Sequence, residues 1–156
     1  MSGSSIRESL GEYPFLDELP EPWLDLVAEL GHRVSYPTGY RLFAEGGPAE
    51  YFWLLTSGDV GLDIHVPGRG NVLIETIHPG SVLGWSWMFP PYRWHFGAVA
   101  AGGTVHAIQF FGVDLIRACR KDPALGMDLM QRFVGVVVNR LQATRLRLLD
   151  LYGYQS

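Results

Sequence analysis

Twelve consecutive residues concentrate the side chains most able to do chemistry: GWSWMFPPYRWH, Gly84–His95, with Phe96 directly after them. Three of the five tryptophans stand here (Trp85, Trp87 and Trp94), and Ser86, Arg93 and His95 lie among them. An aromatic wall with a few polar anchors is the usual lining of a small-molecule pocket. An arginine, or a protonated histidine, adds the means to hold an anion. The same rings serve a core equally well, because fully burying one large apolar side chain contributes roughly 1.5–3 kcal/mol. Pro90-Pro91 interrupts the run, as at the edge of a pocket. Gly84 either lets the backbone pass close to a ligand or lets it pass close to a neighbouring strand.

Elsewhere the sequence offers less. His32, His65, His78, His95 and His106 show neither H-x-H nor H-x₃-H spacing, so no metal site is expected. A cupin-type metal roll would carry a His-x-His pair ahead of Glu50, where Gly46-Gly47-Pro48-Ala49 stands instead. Cys119 lies beside Arg117 and Arg120, which would lower a thiol pKa, although a buried inert cysteine is the commoner outcome. No nucleophile is paired with a base, and catalysis is not expected.

Stepping along the chain, short apolar runs at Tyr40–Ala44, Tyr51–Leu55, Val60–Val66, Val72–Ile77 and Val105–Phe110 are separated by Gly-, Pro-, Ser- and Asp-rich segments, Ser57–Asp59 and Gly102–Thr104 among them. Strands at this spacing predict an antiparallel roll over about 33–111, with Phe96–Ala100 as a further strand. Residues 1–12 are Ser/Gly-rich and read as a flexible terminus. Glu21–Leu30 places Trp23, Leu26, Val27 and Leu30 at helical spacing. Val113–Arg120 and a long segment over about 123–152 are also helical. The fold class is therefore α+β: a jelly-roll-type β-roll with an N-terminal helix and a long C-terminal helix, within one domain over 13–152.

The long helix carries two apolar stripes. Leu129, Phe133 and Val136 form one that stops early, suited to packing on the roll. Met130, Val134, Val137, Leu141, Thr144, Leu148 and Leu151 alternate steps of four and three without a break, the seam of a coiled coil. Arg132, Arg140, Arg145, Arg147 and Asp150 lie off that seam, and a homodimer through this helix is expected.

Bulk composition limits the function classes. The chain has 156 residues, 47% apolar and 18% charged, with a formal net charge of −4. That balance suits a packed domain and opposes a non-specific nucleic-acid binder, which needs a basic surface. One cysteine excludes a disulfide framework and fits a reducing cytoplasm. The first thirty residues are acidic rather than apolar, and the densest apolar run, Phe133–Val138, is too short to span a bilayer. Neither a signal peptide nor a membrane partner is expected.

Three segments, in order, carry a family resemblance. YPTGYRLFAEGGPAEYFWLLTSGDVGL (36–62) resembles the opening of the cyclic-nucleotide-binding domain of the catabolite activator protein superfamily. There, a Pro-x-Gly turn, Glu-Gly-x-Pro-Ala and Ser-Gly-x-Val recur in this order. IETIHPGSVLGWSWM (74–88) resembles that family's entry into its phosphate-binding cassette, and HFGAVAAGGTVHAIQF (95–110) falls on its Arg-Ser/Thr-Ala-Thr-Val strand. The resemblance covers 13 to about 150. It implies a regulatory ligand-binding domain.

The resemblance also exposes a departure. Gly84 matches the cassette glycine, but Trp85 stands where the family has the glutamate that accepts from the ribose, His95 where it has the phosphate-binding arginine, and Phe96 at the following Ser/Thr. An indole donates and cannot accept. Arg93, two positions before His95, is the alternative anion partner. Three readings stay open: aromatics collapsed into core; a pocket for a different small ligand with Ser86, Arg93 and His95 as anchors; or cyclic AMP or GMP held by Arg93 and backbone amides. No resident cofactor is expected. A haem sensor, of a kind that occurs in this superfamily, would draw its ligands from His65, His78, His106 or Cys119. The family's transcription factors follow the long helix with a helix-turn-helix, where only Gly153–Ser156 stand here. The expectation is a stand-alone, non-catalytic sensor or regulatory domain without a nucleic-acid partner, acting through a ligand or an unidentified protein.

Overall fold

The structure, a computed structural model, describes residues 2–151, with side chains described over 6–150. The expected helix end at Tyr152, the Leu151 side chain and Gly153–Ser156 lie outside the described residues. The chain opens with α1 (Ser2–Leu10) and α2 (Glu21–Leu30), joined through a short 3-10 turn at Pro14–Leu16. The roll follows as β1 (Gly31–Tyr36), β2 (Arg41–Phe43), β3 (Tyr51–Val66), β4 (Gly70–Ile77), β5 (Val82–Leu83) and β6 (Gly97–Phe111). Two helices, α3 (Gly112–Lys121) and α4 (Pro123–Leu151), complete the described chain.

All strand pairs are antiparallel, in the order β1-β6-β3-β4, with β2 on β6 and β5 on β3. The α+β roll expected from the strand spacing is the fold observed. Its segmentation differs. Ser57–Asp59 and Gly102–Thr104 are not turns but irregular stretches within two long paired strands, where the register shifts at Leu55/Ser57, Ser57/Asp59 and Asp59/Val60. Gly58 has φ +80°, and a Cβ there would lie 2.5 Å from the Thr104 carbonyl oxygen. Bulge chemistry and turn chemistry use the same residue types, and here the bulges bend a continuous ribbon into a roll.

The terminus read as flexible is helical over Ser2–Leu10. Ile6 and Leu10, one turn apart, are both buried, and Arg7 pairs with Glu21 and with Asp25 at 2.6 Å on α2. Packing against α2 outweighs the weak helix propensity of serine and glycine.

Along α4, Leu125, Leu129 and Phe133 are buried, Phe133 against Phe15, Phe52 and Trp87, and residues 141–150 are all exposed. Polar clamps replace the apolar stripe where it ends. Arg132 donates to the Phe15 and Asp17 carbonyls, Arg140 to the Val82 carbonyl at 2.7 Å and Arg147 to the Ile74 carbonyl at 2.7 Å. Of these charges off the seam, Arg140 and Arg147 tie α4 to its own roll, and Arg132 ties it to the turn before α2. Val134, Leu141 and Leu148 of the four-three seam are at least half exposed, Thr144 is exposed, and Met130 and Val137 are half-buried.

Candidate functional site

β5 delivers the chain to Gly84, whose φ of +97° turns it away from the sheet. A Cβ at this position would sit 2.9 Å from the Trp94 ring and 3.2 Å from the Tyr51 carbonyl oxygen. The close approach that requires glycine is therefore to a tryptophan of the same cassette. A one-turn 3-10 helix, Ser86–Met88, follows, with the Trp87 indole N–H donating to the Gly84 carbonyl at 3.3 Å.

The candidate residues divide into three groups. Trp87 and Trp94 are core. Trp87 stacks on Phe52 (5.2 Å, 20°) and meets Phe133 of α4 edge-on, while Trp94 stacks on Phe43 at 3.8 Å and 14°. Both are under 5% exposed, at 3% and 4%, and Ser86 is buried beside them. Trp85 and Phe96 form the second group, half-buried and edge-to-face at 6.1 Å. Arg93 and His95 form the third, both exposed. Arg93 directs its guanidinium to the Gly46 carbonyl at 3.2 Å. Ser86 is thus buried while Arg93 and His95 are exposed, and the three do not form one polar anchor set.

Two partners escape a reading of the cassette alone. The Arg140 guanidinium lies 5.0 Å over the Trp85 ring, with Glu75 at 3.9 Å. Burial pulls this guanidinium below its ordinary value, and the Glu75 charge opposes that. Trp85 thus presents an aromatic face to a cation from α4, an interaction worth about 0.5–2 kcal/mol. The second is the Arg41–Asp63 pair, bidentate at 3.1 and 2.7 Å, which raises the Arg41 value through its hydrogen bond to Asp63. It lies directly on Gly97, where a Cβ would collide with Arg41 Nη1 and Asp63 Oδ1. Arg140 was visible in sequence only as a charge off the seam.

The model of the cyclic nucleotide-binding domain matches residues 33–122, more than half of the chain. The chain belongs to the cyclic nucleotide-binding domain family. Its similarity to a CRP-like cAMP-activated global transcriptional regulator of Mycobacterium tuberculosis is 25% identity over 118 residues, 76% of this chain and 50% of that protein. The chain spans half the length of the curated relatives it matches. A cyclic nucleotide-binding domain from Methylobacillus flagellatus KT superposes with a TM-score of 0.79 at 20% identity, covering 95% of this chain and 83% of that one. The Thermus thermophilus catabolite activator protein gives 0.71 at 23% identity, covering 90% and 63%. These two likenesses show the shared fold.

Among the described residues no group of three or more His, Cys, Asp and Glu side chains is placed to hold a metal ion. His65 and His106 are exposed on β3 and β6, and His78 pairs with Asp59 at 3.0 Å. Cys119 is half-buried on α3. Burial pushes its thiol up, and the Asp122 charge adds to this, against the lowering that Arg117 and Arg120 suggested in sequence. Thiolate is the reactive form, so iodoacetamide is expected to alkylate Cys119 several-fold more slowly than free cysteine at neutral pH. Labelling at the free-cysteine rate, followed by mass spectrometry, would show an activated thiol instead. Among the described residues no helix is long and apolar enough to cross a membrane.

Proposed function

We propose that the chain is a non-catalytic regulatory domain whose nucleotide cassette has been closed by its own aromatics. The observation that carries this is Trp85, held under Arg140 at 5.0 Å where a ribose-accepting glutamate is expected from the family pattern. Burial of Trp87 and Trp94 supports it, as does the exposure of Arg93 and His95. In this reading the cAMP activation named for the mycobacterial relative does not carry over. The domain acts in the cytoplasm through protein contacts or a ligand other than a cyclic nucleotide, and its single cysteine fits that location. Native mass spectrometry of the purified chain tests the reading. The expected result is no retained cyclic nucleotide, and a visible spectrum without a Soret band. A cyclic nucleotide that co-purifies stoichiometrically overturns it, and a Soret band would assign a haem sensor.

We further propose that α4 forms a homodimer through Met130, Val134, Val137, Leu141, Thr144 and Leu148. The support is an apolar four-three row left at least partly uncovered on a helix whose other face is already packed. Glutamates at Val137 and Leu141 would bring like charges together across that row. Light scattering at roughly 10 μM, well above the Kd of a standard-size interface, is expected to show a dimer for the wild type and a monomer for the double variant. A monomeric wild type would overturn the assignment.

A further inference from the structure

Six aromatic side chains line a cleft that is separate from Trp85 and Phe96. Tyr36 of β1, Tyr40 of the following turn, Phe43 of β2, Tyr51 and Trp53 of β3, and Trp94 surround a cavity of about 230 Å³. Trp53 and Trp94, at 3% and 4% exposure, form its floor, while Tyr40 and Tyr51 stand at its rim, 48% and 37% exposed. Tyr36 and Tyr40 stack at 5.0 Å, and Tyr51 leans on Trp53 at 6.1 Å. The Trp53 indole N–H donates to the Tyr36 hydroxyl oxygen at 3.2 Å.

Charge on this lining has one sign. Glu50 is the charged member, and among the described residues no Lys, Arg or His lines the cavity. Arg93, bridged to Pro48 at the edge, turns its guanidinium to the Gly46 carbonyl. Burial pushes the Tyr36 phenol up, against the hydrogen bond from the Trp53 indole, so this hydroxyl stays neutral at physiological pH. Aromatic π faces and a carboxylate together attract a weakly hydrated cation, and methylated ammonium groups are bound by such cages. The volume is below the roughly 300–1,000 Å³ of drug-sized pockets, which favours a head group over a nucleotide-sized ligand.

We propose that this aromatic cavity binds the methylated ammonium group of a small organic cation. The assignment stands independently of whether the cassette takes a nucleotide. Titration of the full chain with choline, followed by calorimetry and tryptophan fluorescence, tests it against 3,3-dimethylbutan-1-ol, the uncharged carbon isostere. Saturable choline binding is expected, with the isostere at least about tenfold weaker. Glu50→Gln is expected to weaken choline binding several-fold, and Tyr40→Leu about tenfold. Both substitutions are at exposed side chains, and a thermal melt checks that each variant folds. Equal binding of choline and its isostere would overturn the proposal, leaving an apolar crevice. No saturable signal at roughly tens of millimolar would overturn it too. Co-sedimentation with phosphatidylcholine vesicles separates the sources of the group: pelleting together with choline competition identifies a lipid head group, and choline binding without pelleting identifies a free cation.

Discussion

Cyclic AMP and cyclic GMP are expected to bind this chain two to four orders of magnitude more weakly than a cassette holding both charged contacts. Two charge-assisted hydrogen bonds of roughly 1.5–3 kcal/mol each would be lost. Trp85 supplies no acceptor, and His95 is exposed rather than directed at a phosphate. Arg93 does not substitute in the observed conformation, because its guanidinium is on the Gly46 carbonyl at 3.2 Å. Calorimetry with either nucleotide is expected to give a dissociation constant in the high micromolar range or weaker. A low-micromolar value would mean that backbone amides and a rearranged Arg93 suffice. The double substitution Trp85→Glu with His95→Arg probes the space as well as the charge. A glutamate at 85 would find the Arg140 guanidinium already above it and form an ion pair there, so part of the restored charge would be engaged within the protein. Phe96, edge-on to Trp85, still occupies the neighbouring space. The double variant is therefore expected to recover only part of the lost affinity, and full recovery would show that the pocket was open all along.

The parts of this picture legible in sequence are those set by local pattern. Alternation and turn residues mark the roll, and the helical spacing of Trp23, Leu26, Val27 and Leu30 marks α2 within its observed bounds. The four-three row on α4 is visible because an apolar stripe on a long helix is periodic whatever lies beside it. Bulges were not legible. Gly58 and Gly102 carry the composition of turns, and only pairing across β3 and β6 decides that the strands continue. The helix α1 was hidden for a related reason, since two apolar residues make a helix worth forming only once α2 offers a surface and acidic partners for Arg7. At the site, the resemblance pointed to the departures at Trp85, His95 and Phe96 but not to what fills their place. Arg140 and Trp85 are far apart in the chain, and no local spacing relates them. The same holds for Arg41 and Asp63, whose pairing becomes visible only when β2 and β3 both lie against β6.

Truncating Trp94 to alanine is expected to cost about 3–5 kcal/mol, against about 1 kcal/mol for the same change at Trp85. Trp94 is 4% exposed, stacked at 3.8 Å on Phe43 and pressed on Gly84, and its own backbone exchanges hydrogen bonds with Gly46 and Gly47 at 2.8 and 2.9 Å. Those backbone bonds hold the site open after truncation, so the neighbours cannot collapse fully and a cavity remains. A loss of that size is a large part of a domain's whole stability, typically some 5–15 kcal/mol. Trp85 differs in what it leaves behind. It is half-buried, and its main partners are a cation and one ring edge. Without it, Arg140 still donates to the Val82 carbonyl and keeps Glu75 nearby, so no buried charge is stranded. Chemical denaturation of the two single variants reads the contrast directly, as a large fall in midpoint for Trp94→Ala and a small one for Trp85→Ala at unchanged slope. Equal and large losses would make Trp85 as much a part of the core as Trp94. That result would leave the cassette a solid plug between Trp85 and Trp94, with no room there for a ligand.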